Sequence, residues 1–204
     1  MLSKPAASDS RFSFERKTEI IRGFFQRAGM GTEKLDWLDI ACGRGDLLSV
    51  GRQYFKSAAG CDPSNERLKF CKDLNVRQQL SMGSVPFDDD AFDFVTTVCV
   101  YHQVPPEVRP VIAREALRVL RPGGVFCIIE HNPLNPVTRR SAGAQLLKAD
   151  ETGRLVSDAG WKVVETQFFF LFPERLHRFT RKLEDTLRAL PFGGQYAIFS
   201  RPRV

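Results

Sequence analysis

The chain has 204 residues, 43% of them hydrophobic and 26% charged, the make-up of one ordinary globular domain and not of a disordered or fibrous chain. Its formal net charge of +6 comes from the ends: residues 1–27 carry six basic against three acidic side chains and residues 151–204 nine against six, while 28–150 hold fifteen of each. A neutral middle disfavours nucleic acid as a partner, because such domains gather Lys and Arg on one face.

Five cysteines without a C-x-x-C pair argue for reduced thiols, and three histidines without metal-ligand spacing argue against a structural metal. No apolar run reaches the roughly 18 residues of a membrane span. The opening "MLSKPAASDSRFSF" lacks the apolar core and cleavage site of a signal peptide. The expectation is a cytoplasmic protein without membrane insertion.

In chain order, "FERKTEIIRGFFQRA" (14–28) reads as a helix with Ile20, Ile21, Phe24 and Phe25 on one face. "LDWLDIA" (35–41) reads as a strand and "GDLLSVGRQYF" as a helix. "KSAAGCD" (56–62) is a second strand, and "PSNERLKFCKDL" a helix with Pro63 in its first turn. "AFDFVTTVCVY" (91–101) and "VFCIIEH" (125–131) are buried strands around a Pro-started, Gly-stopped helix. "ETGRLVSDAG" is a helix and "WKVVETQFFFLF" a longer strand. Residues 174–190 set Leu176, Phe179, Leu183, Leu187 and Leu190 on one helical stripe before a last strand, "QYAIFSR".

Continuous apolar strands alternating with helices argue a parallel sheet covered on both faces. A helix between the last two strands argues that these pair antiparallel at the sheet edge. With no repeat and no linker, residues 1–204 read as a single domain: an N-terminal helical segment (1–30), a ligand-binding half (31–135) and a C-terminal edge (136–204).

The punctuation after the first strand carries the most chemistry. In "LDIACGRGD" (38–46), Gly43 and Gly45 let the backbone turn tightly and approach a ligand without a Cβ, in the crevice beyond the carboxyl ends of the strands where open α/β sheets bind ligands. A dinucleotide fingerprint would need a third glycine at Leu48. Its absence counts against a nicotinamide enzyme, whereas a methionyl-nucleoside has no pyrophosphate to cradle. Asp62, at the tip of the second strand, can accept two hydrogen bonds from a ribose diol; the plainer alternative is that it caps the next helix.

"LDIACGRGD", "CDPSNERL", "VPFDDDAFDFVTTVCVYHQV" and "ALRVLRPGGVFCIIEH" resemble, in order and spacing, the class I S-adenosylmethionine-dependent methyltransferases, over roughly residues 14 to 200. The resemblance implies a Rossmann-like, doubly wound, mostly parallel seven-stranded sheet with an antiparallel last strand and helices on both faces. It implies S-adenosylmethionine as cofactor and S-adenosylhomocysteine as product. By position, Asp39, Ala41, Cys42, Gly43 and Gly45 would line the methionine part, Asp62 would hold the ribose, and Pro63 would lie beneath the adenine. Ser81 stands where the family often has an acid, leaving adenine to Ser81, Met82 and packing. Cys99 is counted with these cofactor-lining residues, and Arg16 resembles an upstream basic residue that reaches the cofactor carboxylate.

Transfer of a sulfonium methyl is an in-line displacement that needs alignment and dryness, with a base required only for a hydroxyl or a protonated nitrogen. The fourth and fifth strands deliver Tyr101, His102, Glu130 and His131 to one rim. His102, Glu130 and His131 are the candidates for proton transfer, with pairing to Arg139 or capping a turn the plainer role for Glu130. Cys42 reads as packing, Asn132 and Asn135 as turn formers before proline, and His177 as solvated surface. The 174–190 helix could be a lid, its apolar stripe toward the pocket and Arg175, Arg178, Arg181 and Arg188 outward, or an ordinary edge helix. The acceptor expected is an oxygen or nitrogen of a small metabolite; RNA or protein as acceptor, and a cofactor-binding module without turnover, are the alternatives.

Overall fold

The computed structural model describes residues 11–141, 145–172 and 174–203. Helix α1 (Arg11–Arg27) leads into strand β1 (Asp36–Ile40), helix α2 (Asp46–Gly51), β2 (Ser57–Asp62), a single turn α3 (Asn65–Leu68) and β3 (Asn75–Gln78). Then come β4 (Phe92–Val98), α4 (Arg109–Val119), β5 (Leu120–His131), α5 (Pro136–Ser141), α6 (Ala149–Asp158), β6 (Trp161–Phe169), α7 (His177–Thr186) and β7 (Gln195–Pro202). The seven strands form one sheet in the order β3-β2-β1-β4-β5-β7-β6. β7 is antiparallel to both neighbours and the pairs β3–β2, β2–β1, β1–β4 and β4–β5 are parallel. The expected doubly wound architecture is therefore observed.

Alternation along each strand divides the core in two, as a sheet covered on both faces requires. Leu38, Ile40, Phe126 and Ile128 pack with Ile112, Ala113 and Ala116 of α4 and Val156 of α6. Trp37, Val125, Cys127 and Ile129 pack on the other face with Leu47 and Leu48 of α2 and with Ile20, Ile21, Phe24 and Phe25 of α1, the four residues anticipated for that helix. Phe24 stacks flat on Phe199 of β7 with ring centroids 4.1 Å apart, locking α1 to the antiparallel end of the sheet.

Four elements depart from the sequence reading. The helix expected to stop at Gly123 and Gly124 ends at Val119, and those glycines lie inside β5, which starts at Leu120. The helix expected over 63–74 stops after Leu68, because the chain turns through Asp73 in the left-handed region to launch β3. β3, "NVRQ", carries no buried residue and so no apolar signal; it is legible only from its pairing with β2. α5 follows "NPLNP", read as turn alone: Asn135 Oδ1 accepts from the N–H groups of Val137 and Thr138 and starts a helix there.

Candidate active site

Between β1 and α2 the backbone is left-handed at three positions, Ala41, Gly43 and Gly45 (φ +57°, +59° and +73°). The two glycines serve different ends. A Cβ on Gly43 would meet no atom within 4 Å, so its open side faces the crevice. A Cβ on Gly45 would strike Leu74 and Cys71, so that glycine admits close packing of the 71–74 turn. Cys42 donates its N–H to Cys61 O, and its sulfur sits over Gly60, where a Cβ would lie 2.8 Å from it. Burial pushes the Cys42 thiol far above its ordinary range, which suits packing and not nucleophilic chemistry.

Asp62, at the end of β2, is buried, with Oδ2 accepting from Gly43 N (2.9 Å) and Oδ1 from Ser64 N (2.8 Å). Ser64, not Asp62, caps α3. Each carboxylate oxygen keeps further acceptor capacity, so the group ties the glycine turn to the β2 tip and can still receive a diol. Asp39, also buried, accepts from Thr96 Oγ1 at 2.6 Å. Burial lifts its carboxyl to about 7, the Thr96 hydrogen bond opposes that rise, and the charge of Asp62 adds to it.

Pro63 is partly buried beside Asp62, Ser81 is exposed, and Met82 packs its side chain on the α4 side of the core. Gln79, which the sequence did not single out, organises this segment. Its N–H donates to Asp62 O, and its buried amide donates to the carbonyls of Ser81 and Ser84 at 3.4 Å. Gln79 Oε1 is buried without a hydrogen-bond partner. A lone glutamine after a polar edge strand gives no periodic signal, which is why it was missed.

The second group lies at the ends of β4 and β5. Glu130 is buried and accepts from Tyr101 N and faces His102 Nδ1, both at 2.6 Å. An ionised carboxylate there requires the proton on Nδ1, leaving His102 Nε2 as the acceptor nitrogen. Glu130 thus pairs with His102 and not with Arg139, which is exposed. The ring of His131 lies 5.4 Å from that of His102, its Nε2 3.6 Å from Cys99 Sγ and its Nδ1 3.4 Å from Gln195 Nε2. Cys99 is left-handed (φ +57°), the second non-glycine strained at a strand tip here after Ala41. Gln195 was missed because only the antiparallel register of β7 sets it opposite His131.

Several expectations are corrected. Tyr101 does not reach the rim; its ring is wholly buried in the core and its hydroxyl has no hydrogen-bond partner. Arg16 does not point to the crevice: its guanidinium meets Glu19 (3.1 Å), Glu184 (3.0 Å) and Asp185 (2.8 Å), clamping α7 to α1. His177 is not solvated surface but sits 3.7 Å from Glu184 and edge-on to Phe12. The stripe of α7 is turned outward, with Leu183 half exposed and Phe179 78% exposed, so it does not face a pocket. The side chain of Arg178, and Pro173, lie outside the described residues. Asn132 and Asn135 hold turns: Asn132 Nδ2 donates to the carbonyls of Pro191 and Gly193, and Asn135 Nδ2 to that of Phe192.

With this geometry in view, comparison with known proteins is decisive. A family described as "Methyltransferase domain" matches residues 38–128, which run from β1 into β5 and include the glycine turn, Asp62 and His102. An uncharacterized methyltransferase of Synechocystis sp. is 30% identical over 148 residues, covering 65% of this chain and 69% of that one. The chain belongs to the class I S-adenosylmethionine-dependent methyltransferases. This methyltransferase is also similar to the phthiotriol/phenolphthiotriol dimycocerosates methyltransferase of Mycobacterium tuberculosis, 33% identical over 107 residues covering 49% of this chain and 39% of that protein. The fold is shared with the crystal structure of an S-adenosylmethionine-dependent methyltransferase from Clostridium acetobutylicum, with a TM-score of 0.72 at 12% identity over 94% of this chain and 92% of that one. Among the described residues no group of three His, Cys, Asp or Glu side chains could hold a metal ion, and no helix is long and apolar enough to cross a membrane.

The cofactor of the family fits the residues present. The open flank of Gly43, the residual acceptor capacity of Asp62 and the buried, unpartnered Gln79 Oε1 belong to residues at the carboxyl ends of the neighbouring parallel strands β1, β2 and β3.

Proposed function

We propose that this methyltransferase transfers a methyl group to an oxygen or nitrogen of a small-molecule acceptor, with His102 as general base and Glu130 as the residue that positions it. The observation that carries this reading is the 2.6 Å contact between His102 Nδ1 and Glu130 Oε2, made at the carboxyl end of β4 beside the glycine turn.

The cofactor would lie with its methionine end against Asp39, Ala41, Cys42 and Gly43, its ribose on Asp62, and its adenine between Pro63 and the Ser81–Met82 segment. Cys99 would border its reacting end. Bound there, S-adenosylmethionine supplies an electrophilic sulfonium methyl. Glu130 holds the imidazole in one tautomer and orientation, fixed in turn by the Tyr101 N–H. His102 Nε2 then takes the acceptor's proton as its oxygen or nitrogen becomes nucleophilic, and the imidazolium that forms is stabilised by the Glu130 carboxylate. His131, held between Cys99 and Gln195, forms the neighbouring wall and orients the acceptor beside His102.

RNA or protein as acceptor gains little from the charge pattern, since the excess of basic residues lies at the chain ends. The deciding experiment supplies isotope-labelled methyl donor to the full chain with fractionated metabolites, RNA or protein. Label in the metabolite fraction, lost in His102→Ala, is expected. Label in RNA or protein instead, or tight cofactor binding with no transfer to any fraction, would overturn the reading.

A further inference from the structure

Helix α7 is held on α1 by polar side chains and leaves its apolar stripe exposed. Glu184 is 2% exposed, accepts from Leu171 N and pairs with Arg16, and His177 packs against Phe12, while Arg181, Lys182, Asp185 and Thr186 are exposed. Its apolar stripe is exposed as well: Leu176, Phe179 and Leu183, at helical spacing, are 48%, 78% and 50% exposed. The stripe continues through Leu190 and Phe192 (64%), and across the Asn135–Phe192 hydrogen bond to Leu134 and Val137 at α5. A helix free to roll would turn these side chains inward, because exposing them costs hydrophobic free energy. The ion pairs of Arg16 with the buried Glu184 and the half-exposed Asp185 prevent that roll, so the apolar face is held outward by charges at the interface of α1 and α7.

The charges around this face are basic. Arg139 and Arg140 of α5 and Arg175 before α7 are exposed, and Arg181 and Arg188 stand on α7 and just after it with 54% and 41% of their side chains exposed. The last two meet the partly exposed Glu19 and Glu165 at 3.4 Å and 3.8 Å, and Asp185 is bound to Arg16. An apolar stripe rimmed by arginines is the pattern of a helix that lies in the plane of an anionic lipid interface. A second copy of the chain would bring a like-charged rim against it, at a net charge of +6 each.

We infer that α7, with the 190–193 loop and the start of α5, docks this protein on an anionic membrane surface. The face ends at the catalytic rim, since Asn132 follows His131 and is bonded to the loop that carries Phe192. Docking therefore sets the mouth of the site at the headgroup plane, where an amphiphilic acceptor is held. Docking rests on the exposed face alone; delivery of an acceptor rests also on the methyl-transfer reading above.

Cosedimentation of the full chain with vesicles tests it, independently of turnover. The chain is expected to pellet with vesicles containing phosphatidylglycerol about tenfold better than with pure phosphatidylcholine, and less well near 0.5 M salt. The pair Leu183→Glu and Phe192→Glu is expected to cut binding about tenfold, with cofactor affinity and helix content unchanged. A wild-type chain that stays in the supernatant, or a variant that pellets as well as wild type, would overturn the proposal. So would a wild-type dimer in velocity sedimentation that the same substitutions convert to monomer.

Discussion

His102 and Glu130 come from different strand ends, 28 residues apart, and meet through Nδ1 and Oε2 at 2.6 Å. The buried carboxylate has a second fixed partner, the Tyr101 N–H, so it cannot swing away from the imidazole. Replacing His102 with Ala is expected to lower kcat by at least about a hundredfold, the usual contribution of a positioned base. Glu130→Gln keeps the shape but not the charge; it should lower kcat with KM nearly constant. Equal losses in KM and kcat for Glu130→Gln would instead mark it as a structural residue.

Asp62 bridges the glycine turn and the β2 tip through Gly43 N and Ser64 N. Asp62→Ala should weaken S-adenosylmethionine binding by about 1–3 kcal/mol, the range for hydrogen bonds to a charged group. Isothermal titration of the variant with cofactor measures it, and an unchanged affinity would remove Asp62 from the cofactor site.

Asp39 gives a pH dependence of opposite sign to the usual carboxylate. Its ordinary value is 3.8 and burial raises it to about 7 in the folded chain. Between those values the folded chain holds a proton that the unfolded chain has lost. Stability therefore falls as pH rises from about 4 to about 7, and is level above that. Urea unfolding near pH 5 and pH 8 should show this loss in the wild type and not in Asp39→Asn. A sulfonium cation beside Asp39 favours the ionised carboxylate, so cofactor affinity should rise through the same pH range and flatten in Asp39→Asn.

Arg16 is a clamp between helices in this structure. Arg16→Ala leaves the buried Glu184 without its cation, so thermal unfolding should report a loss of about 3–5 kcal/mol. Cofactor affinity measured below the transition should stay constant; a large drop there would return Arg16 to the cofactor carboxylate.

Gly193 holds the loop that anchors Asn132. A Cβ at this position would lie 2.6 Å from Phe169 N and 2.9 Å from its carbonyl carbon. Since these are backbone atoms, Gly193→Ala must move the loop; a stability loss of about 1–3 kcal/mol is expected, together with altered acceptor KM.

Much of the β1–α2–β2 region was written locally. The turn at Gly43 and Gly45 and the place of Asp62 at a strand tip were legible because a strand broken at glycine, and an acid at the next strand end, are short-range signals; the apolar runs of β1, β4 and β5 marked the sheet in the same way. β3 and Gln79 were not, because an exposed edge strand has no apolar period to read. The helix over 63–74 was overestimated because Leu68, Cys71 and Leu74 share a helical spacing that the left-handed Asp73 interrupts.

By itself, then, the amino-acid order determined the doubly wound sheet, the glycine turn and the pair of histidines at one rim, since each depends on residues within one strand–turn–helix unit. Only the tertiary structure decided what those side chains face. Glu130 could have met Arg139 or His102, and Arg16 a cofactor or three carboxylates; the antiparallel insertion of β7 and the docking of α7 on α1 chose between them. The apolar stripe of α7 was plain in the sequence, but its direction was not. Which face of an amphipathic helix is buried depends on its partners, and here ion pairs across α1, separated by more than 160 residues, outweigh the pull of the stripe toward the core.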